Sequence, residues 1–153
     1  MATVYSTQRT NAIAIPSVKN KANELGGRVR IAHGVYEASS LASGDVIEMF
    51  VLPDGARIIS GSLAHDALGS STTLAVGHAA YVNAAGTTVA LDADEFKAAA
   101  ASTSAQKVDV AATLALGSGI EIDANQDGYT VTVTMGGAAG TGSIELTMLY
   151  ALD

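Results

Sequence analysis

The 153-residue chain has no cysteine and no tryptophan, only two prolines, and aromatic side chains at just 5% of its positions. Without cysteine there is no disulfide framework, no thiolate zinc site and no cysteine nucleophile, and the redox state of the compartment is left open. Basic side chains are scarce, eight against fifteen acidic ones, for a net charge of −7. Binding to a phosphate backbone needs clustered lysine and arginine, so no nucleic-acid partner is expected. Long apolar runs are missing as well. Nothing approaches the ~18 uninterrupted apolar residues of a membrane span, and the polar opening Met1-Ala2-Thr3-Val4-Tyr5-Ser6 lacks the charged-then-apolar layout of a secretory signal. The expectation is a soluble chain, not exported by that route and without a membrane partner. What is abundant is small: 29 alanines and 16 glycines lie behind an apolar fraction of 48%, so few large side chains are available to fill a core. A chain of this length makes one ordinary domain, burying roughly 70% of the surface it exposes unfolded.

The charge is unevenly divided. Residues 1–30 carry Arg9, Lys19, Lys21, Arg28 and Arg30 against Glu24 alone, a balance of +4, whereas residues 31–153 carry three basic and fourteen acidic side chains, a balance of −11. A cationic leading segment on an anionic body suits docking on an acidic surface, with long-range attraction aiding encounter, and it equally suits a solvated, loose chain end. Residues 1–17 show little periodicity and read as an extended arm. Val18–Leu25 fits a short helix with Ser17 as N-cap and Gly26-Gly27 as its stop. The division expected is therefore an arm over 1–27 and a β-sandwich over 28–153.

From Arg28 onward period 2 dominates, as in strands whose alternate side chains face opposite ways. Tyr129, Val131, Val133 and Met135 alternate with threonines, and Ile144, Leu146, Met148, Tyr150 and Leu152 make a final strand. Leu74, Val76, Ala80 and Val82 share another face, as do Val108, Val110, Leu114 and Leu116, and shorter strands are expected at 28–31, 87–91 and 120–122. Asp45–Leu52 differs: Ile47, Met49 and Val51 line one side and Val46, Phe50 and Leu52 the other, so both faces call for cover by an arm or another subunit. Leu52-Pro53-Asp54-Gly55 fits a type I turn joining that strand to 57–63 as a hairpin. Asp92 and Glu95 form a capping box, with Leu91 and Phe96 as a staple, which predicts a helix propagated by Ala98–Ala101. Some eight strands and one short helix make an all-β class, an antiparallel β-sandwich or jelly roll with an extended N-terminal arm, its centre filled by Phe50, Phe96, Tyr129 and Tyr150.

Chemistry-bearing patterns are few. Asp123, Asn125 and Asp127, followed by Gly128, resemble the opening of a calcium loop, but the twelfth position is Thr134 where a bidentate glutamate belongs, and strands replace the flanking helices. The same residue types build hairpin turns, so a turn is the first reading and a cation site the second. A turn centred between Ser71 and Thr72 would set His65 opposite His78, half of a metal site with no third ligand. His65 and Asp66 are adjacent in a strand and point apart, which defeats a serine triad. Gly136–Gly142 lacks the Lys-Ser/Thr and helix of a phosphate loop and reads as a flexible hairpin loop. Neither catalytic residues nor a cofactor are expected.

The blocks from Tyr36 through Asp45-Val46-Ile47-Glu48-Met49-Phe50-Val51-Leu52-Pro53-Asp54-Gly55 to Ile59, and from Gly61 to Leu74, resemble the small virion proteins of tailed phages described as capsid decoration or cement proteins. The likeness is best over about residues 28–91 and is one of style, with no active site to carry over. It implies a jelly roll or related sandwich, a homotrimer on the outer surface of the shell at three-fold or quasi-three-fold positions, and a terminal arm gripping the major capsid protein. Such a protein is made in the host cytoplasm and located on the virion. Candidate partner-binding residues are Tyr5, Arg9, Lys19 and Lys21 on the arm with Val46 and Phe50 on the two-sided strand. The alternative function is a host-recognition or carbohydrate-binding sandwich, which would display Tyr36, Tyr81 and Tyr129 near loop tips.

Overall fold

Alternation of apolar and polar residues builds most of the molecule. The computed structural model describes residues 3–125 and 127–152, in which ten strands come after a short helix α1 (Thr7–Ile13). The strands are β1 (Arg28–Leu41), β2 (Val46–Leu52), β3 (Arg57–His65), β4 (Thr72–His78), β5 (Tyr81–Val82), β6 (Thr88–Val89), β7 (Asp92–Ala101), β8 (Gln106–Val110), β9 (Tyr129–Gly137) and β10 (Gly140–Leu152), with a 3-10 turn at Leu114–Leu116. In β9 and β10 the expected alternation holds: Tyr129, Val131, Val133, Met135, Ile144, Leu146 and Met148 are all buried.

Two four-stranded antiparallel sheets pack face to face, in the orders β1-β10-β3-β8 and β2-β9-β4-β7, here sheets A and B. The pairings nest: β1 with β10, β2 with β9, β3 with β8 and β4 with β7, while the β5–β6 hairpin lies in the connection between β4 and β7. The chain is one long two-stranded ribbon rolled up so that β10 also meets β3 and β9 also meets β4, which is a jelly roll. Phe96 and Tyr129 supply the core's aromatic rings, 6.1 Å apart, whereas Phe50 and Tyr150 are only half-buried against its margin.

Several local expectations give way to this topology. The capping-box segment Asp92–Ala101 is a strand, β7, not a helix. Its local chemistry survives, since the Asp92 carboxylate still accepts the Asp94 N–H at 3.0 Å, but Phe96 is fully buried and Lys97 and Ala100 pair with Val76 and Leu74 of β4. Pairing along β4 and burial of one ring outweigh the helical preference of a run of alanines. Gly77 makes the crossing possible: a Cβ there would lie 2.0 Å from the Asp92 carbonyl oxygen.

The helix near the N-terminus occupies Thr7–Ile13 instead of Val18–Leu25, capped by the Ser6 hydroxyl, which accepts the Arg9 N–H at 3.2 Å. Pro53 starts its turn instead of occupying the second position, its carbonyl accepting the Ala56 N–H, and the turn carries the chain from sheet B to sheet A, so β2 and β3 are no hairpin. For the same reason His65 and His78 do not face each other; their opposite residues are Ile144 and Gln106 for the first and Val131 and Asp92 for the second. The glycines at 136–142 mark a corner at which β9 of one sheet becomes β10 of the other, and Leu114–Leu116 is a 3-10 turn, not a strand.

A bulge between Glu48 and Phe50 answers the two-sided character of β2. It shifts the parity of the strand, so that Ile47 and Leu52 are both buried while Val46 and Val51 both face outward.

Candidate assembly surface

The segment before β1 folds into a hook on an ionic base. Within the hook, the Asn11 side-chain amide donates to the Asn20 side chain at 3.0 Å, Asn20 donates to the Gln8 carbonyl at 3.1 Å, and the Val18 N–H reaches the Asn11 carbonyl at 3.2 Å. No residue of α1 is buried. Val4 is 89% and Ile15 99% exposed, with Tyr5, Ile13 and Val18 also outward, so the hook displays apolar side chains that its own body does not cover.

At the base, the Lys21 ammonium lies 2.9 and 2.8 Å from the two carboxylate oxygens of Glu121. Arg57 donates to Glu121 at 2.8 Å, approaches Glu24 at 3.5 Å and reaches the Gly119 carbonyl at 2.6 Å, while Asn23 donates to the Gly55 carbonyl at 2.8 Å. Hydrogen bonding from Lys21, helped by Asn23 and by the charges of Lys21 and Arg57, holds the Glu121 carboxyl below the ordinary glutamate range.

Beyond the base the chain enters β1, an edge strand of sheet A. Arg28, Val29, Arg30 and Ile31 are all exposed, and Val29, Ile31 and Val35 share its outer face. The opposite edge, β2 of sheet B, closes against it near Gly34, where a Cβ would come within 2.8 Å of the Met49 carbonyl oxygen.

Sheet B carries an apolar groove of about 360 Å³ on its outer face. Val46, 56% exposed, and Leu91, 66% exposed, form its lips; Ala79, Ala80 and Ala93 line its walls, and Thr132 and Thr134 its floor. The Thr134 hydroxyl oxygen is buried and finds no hydrogen-bond partner among the described residues. Glu48, opposite Thr132 of the floor, lies beside the groove, whereas the nearby Asp45 and Asp92 carboxylates accept the Ala42 and Asp94 N–H groups of their own turns.

The candidate residues are thus distributed. Tyr5, Arg9 and Lys19 lie exposed on the hook, Lys21 is held at the base, Val46 forms a lip of the groove, and Phe50 is turned by the bulge against the core. Sequence reasoning missed the exposed β1 residues and the Lys21–Glu121–Arg57 cluster. The cluster joins residues 100 and 64 positions apart, and no local pattern announces it.

The remaining patterns are absorbed by structure. The Asn125 carbonyl oxygen of the side chain accepts the Asp127 N–H at 3.0 Å, its amide donates back to the Asp127 carboxylate at 3.1 Å, and Asp123 accepts the Ala84 N–H at 3.2 Å. Gln126 of that loop lies outside the described residues. Among the described residues no three histidine or carboxylate side chains converge as metal ligands. His65 bonds the Asp66 carbonyl, the Asp66 carboxylate accepts the Ser143 N–H, and the Ser143 hydroxyl donates to Glu37, so these groups are directed apart. The tyrosines expected near loop tips do not form a platform. Tyr129 is in the core, Tyr81 packs on it with centroids 4.9 Å apart, and Tyr36 lies on β1. No helix among the described residues is long and apolar enough to cross a membrane.

No family model matches the chain, and no curated protein matches its sequence. Its fold is matched by chains of solved phage capsids. A chain of the cyanophage Pam1 capsid asymmetric unit aligns over all of both chains with a TM-score of 0.64 and 20% identity. A chain of the capsid of Ralstonia phage GP4 aligns over 83% of this chain and 86% of its own, with a TM-score of 0.61 and 25% identity. A third, from the acidic stable capsid structure of Helicobacter pylori bacteriophage KHP30, covers 81% and 87%, with a TM-score of 0.51 and 16% identity. The protein has the jelly-roll fold of phage capsid chains.

Proposed function

We propose that this chain is a non-enzymatic decoration, or cement, protein that binds the outer surface of a phage head as a homotrimer and stabilises the shell, its partner being the major capsid protein. The observation that carries this reading is a combination. A jelly roll similar over its whole length to a chain of a phage capsid bears an N-terminal hook whose Val4, Ile13 and Ile15 find no cover on their own body. The match spans both chains completely, so its counterpart is a chain of this size and not a part of a larger subunit. The hook and the body also differ in charge, which favours encounter with an acidic surface.

Mechanically, a protein seated across capsomer edges adds interface that a swelling or pressurised shell must break before it opens. Many individually weak seats around one shell act together. Deleting residues 2–17 leaves the Lys21–Glu121 base intact and should lower occupancy on purified shells while leaving the β-sandwich folded. Unchanged occupancy would remove the hook from the mechanism, and failure of the full-length chain to bind shells would overturn the reading itself.

A further inference from the structure

The groove on sheet B and the hook complement each other, but not within one molecule. The groove is apolar, with Val46 and Leu91 as exposed lips, and it lies on a body with a charge balance of −11, with Glu48 beside it opposite Thr132. The hook displays Val4, Ile13 and Ile15, and residues 1–20 contain Arg9 and Lys19 but no acidic side chain. Apolar matches apolar and cation matches anion. Their positions keep them apart in a single copy. The base of the hook is fixed beside Gly55 at one end of β2, while the groove lies at Val46, the other end, seven residues or about 20 Å along the strand. Reaching it would require breaking the Asn11–Asn20, Asn20–Gln8 and Val18–Asn11 bonds that shape the hook.

We propose that the groove receives the hook of a second copy of this chain, with Ile15 or Val4 entering between Val46 and Leu91 and a polar group of the hook satisfying the Thr134 hydroxyl. This rests on the decoration reading only in that it supplies the contact for the oligomer named there. Hook and groove are different surfaces, so the contact is either passed head-to-tail around a ring or exchanged reciprocally between two copies; the homotrimer of the decoration reading calls for the ring.

The test uses the full-length protein in free solution, by sedimentation velocity across a concentration series. The wild type should show a ring-sized species that weakens with added salt, because attraction between the cationic hook and the acidic body is screened. Ile15→Asp, Val4→Asp and Leu91→Asp each alter an exposed side chain, and at least one hook variant together with the groove variant should weaken association about 30-fold or more. Mixed together, Ile15→Asp offers a sound groove and Leu91→Asp a sound hook, so the pair should form a complex that neither forms alone. A wild type that stays monomeric at millimolar concentration overturns the proposal, as does an oligomer unaffected by the hook variants, or a mixture that never pairs. Shell binding is scored separately. A monomer that decorates shells overturns the hook-in-groove contact alone, whereas a ring that never binds shells overturns the decoration reading alone.

Discussion

Lys21 grips both oxygens of Glu121 across one hundred residues of sequence, and through this pair the leading segment is fastened to the β-sandwich. Arg57 shares the same carboxylate, so a single acidic side chain holds two cations from different parts of the chain. Glu121→Gln should loosen residues 18–25 without unfolding the sandwich. Because Lys21 is largely solvent-exposed, the global loss should be at most about 1 kcal/mol. Limited trypsin digestion is the sensitive readout: cleavage after Lys19 and Lys21 should accelerate several-fold, with the core of the sandwich still protected.

The same pair sets an acid limit. The folded pKa of Glu121 is lowered, so its stabilising contribution is full above the ordinary glutamate value of 4.5 and is lost as pH falls through the lowered folded value. Hydrogen exchange of residues 21–24 should be insensitive to this group between pH 5 and 7, on the order of the window in which the carboxylate stays ionised, and their protection should decline at lower pH.

Alkaline pH acts on two tyrosines. Burial pushes the Tyr129 phenol well above the tyrosine norm, with Glu95 adding to the effect, and burial raises Tyr81 in the same direction. A folded pKa above the unfolded one gives stability that is complete below the unfolded value and lost as pH rises above it. Phenolate absorbance from Tyr129 should therefore appear only together with unfolding, and Tyr129→Phe should shift the alkaline midpoint upward.

Two substitutions test β7. Ala99 is exposed on that strand, so Ala99→Val should be neutral or stabilising by up to about 1 kcal/mol, where a helix would be weakened by about half that. Phe96→Ala removes the buried ring and should cost about 3–5 kcal/mol in chemical denaturation.

Gly77→Ala places a methyl group 2.0 Å from the Asp92 carbonyl oxygen and 2.4 Å from the Ala93 carbonyl carbon, both backbone. Relief requires moving β7 off β4, at a cost of about 3 kcal/mol or more, and the yield of folded protein should fall accordingly.

Legibility in the sequence was limited to features that depend on neighbours two residues away. Tyr129 to Met135 and Ile144 to Met148 alternate because one side of each strand meets the core, but a register shift between Leu149 and Tyr150 then buries Ala151 in place of the expected Tyr150 and Leu152. Pairing is another matter. The hairpins assumed between β2 and β3 and between β3 and β4 come from sequence adjacency, whereas rolling the ribbon pairs strands by nesting and sends every connection except that between β4 and β7 to the other sheet. β7 misled for a related reason: the Asp92 turn is locally satisfied, and only the distant β4 decides that a strand and not a helix continues from it. Within the candidate surface, the cationic character of the leading segment was legible from composition, but its hooked shape and ionic base were not, because Asn11 and Asn20, like Lys21, Arg57 and Glu121, meet only after folding.

The position of β10 between β1 and β3 has a consequence during synthesis. These two strands, made early, share no ladder until β10 arrives, so sheet A cannot close around a partial polypeptide emerging from the ribosome. A prematurely halted copy leaves two bare edges and is destined for aggregation or proteolysis. The topology thereby ties the closing of sheet A to the translation of β10.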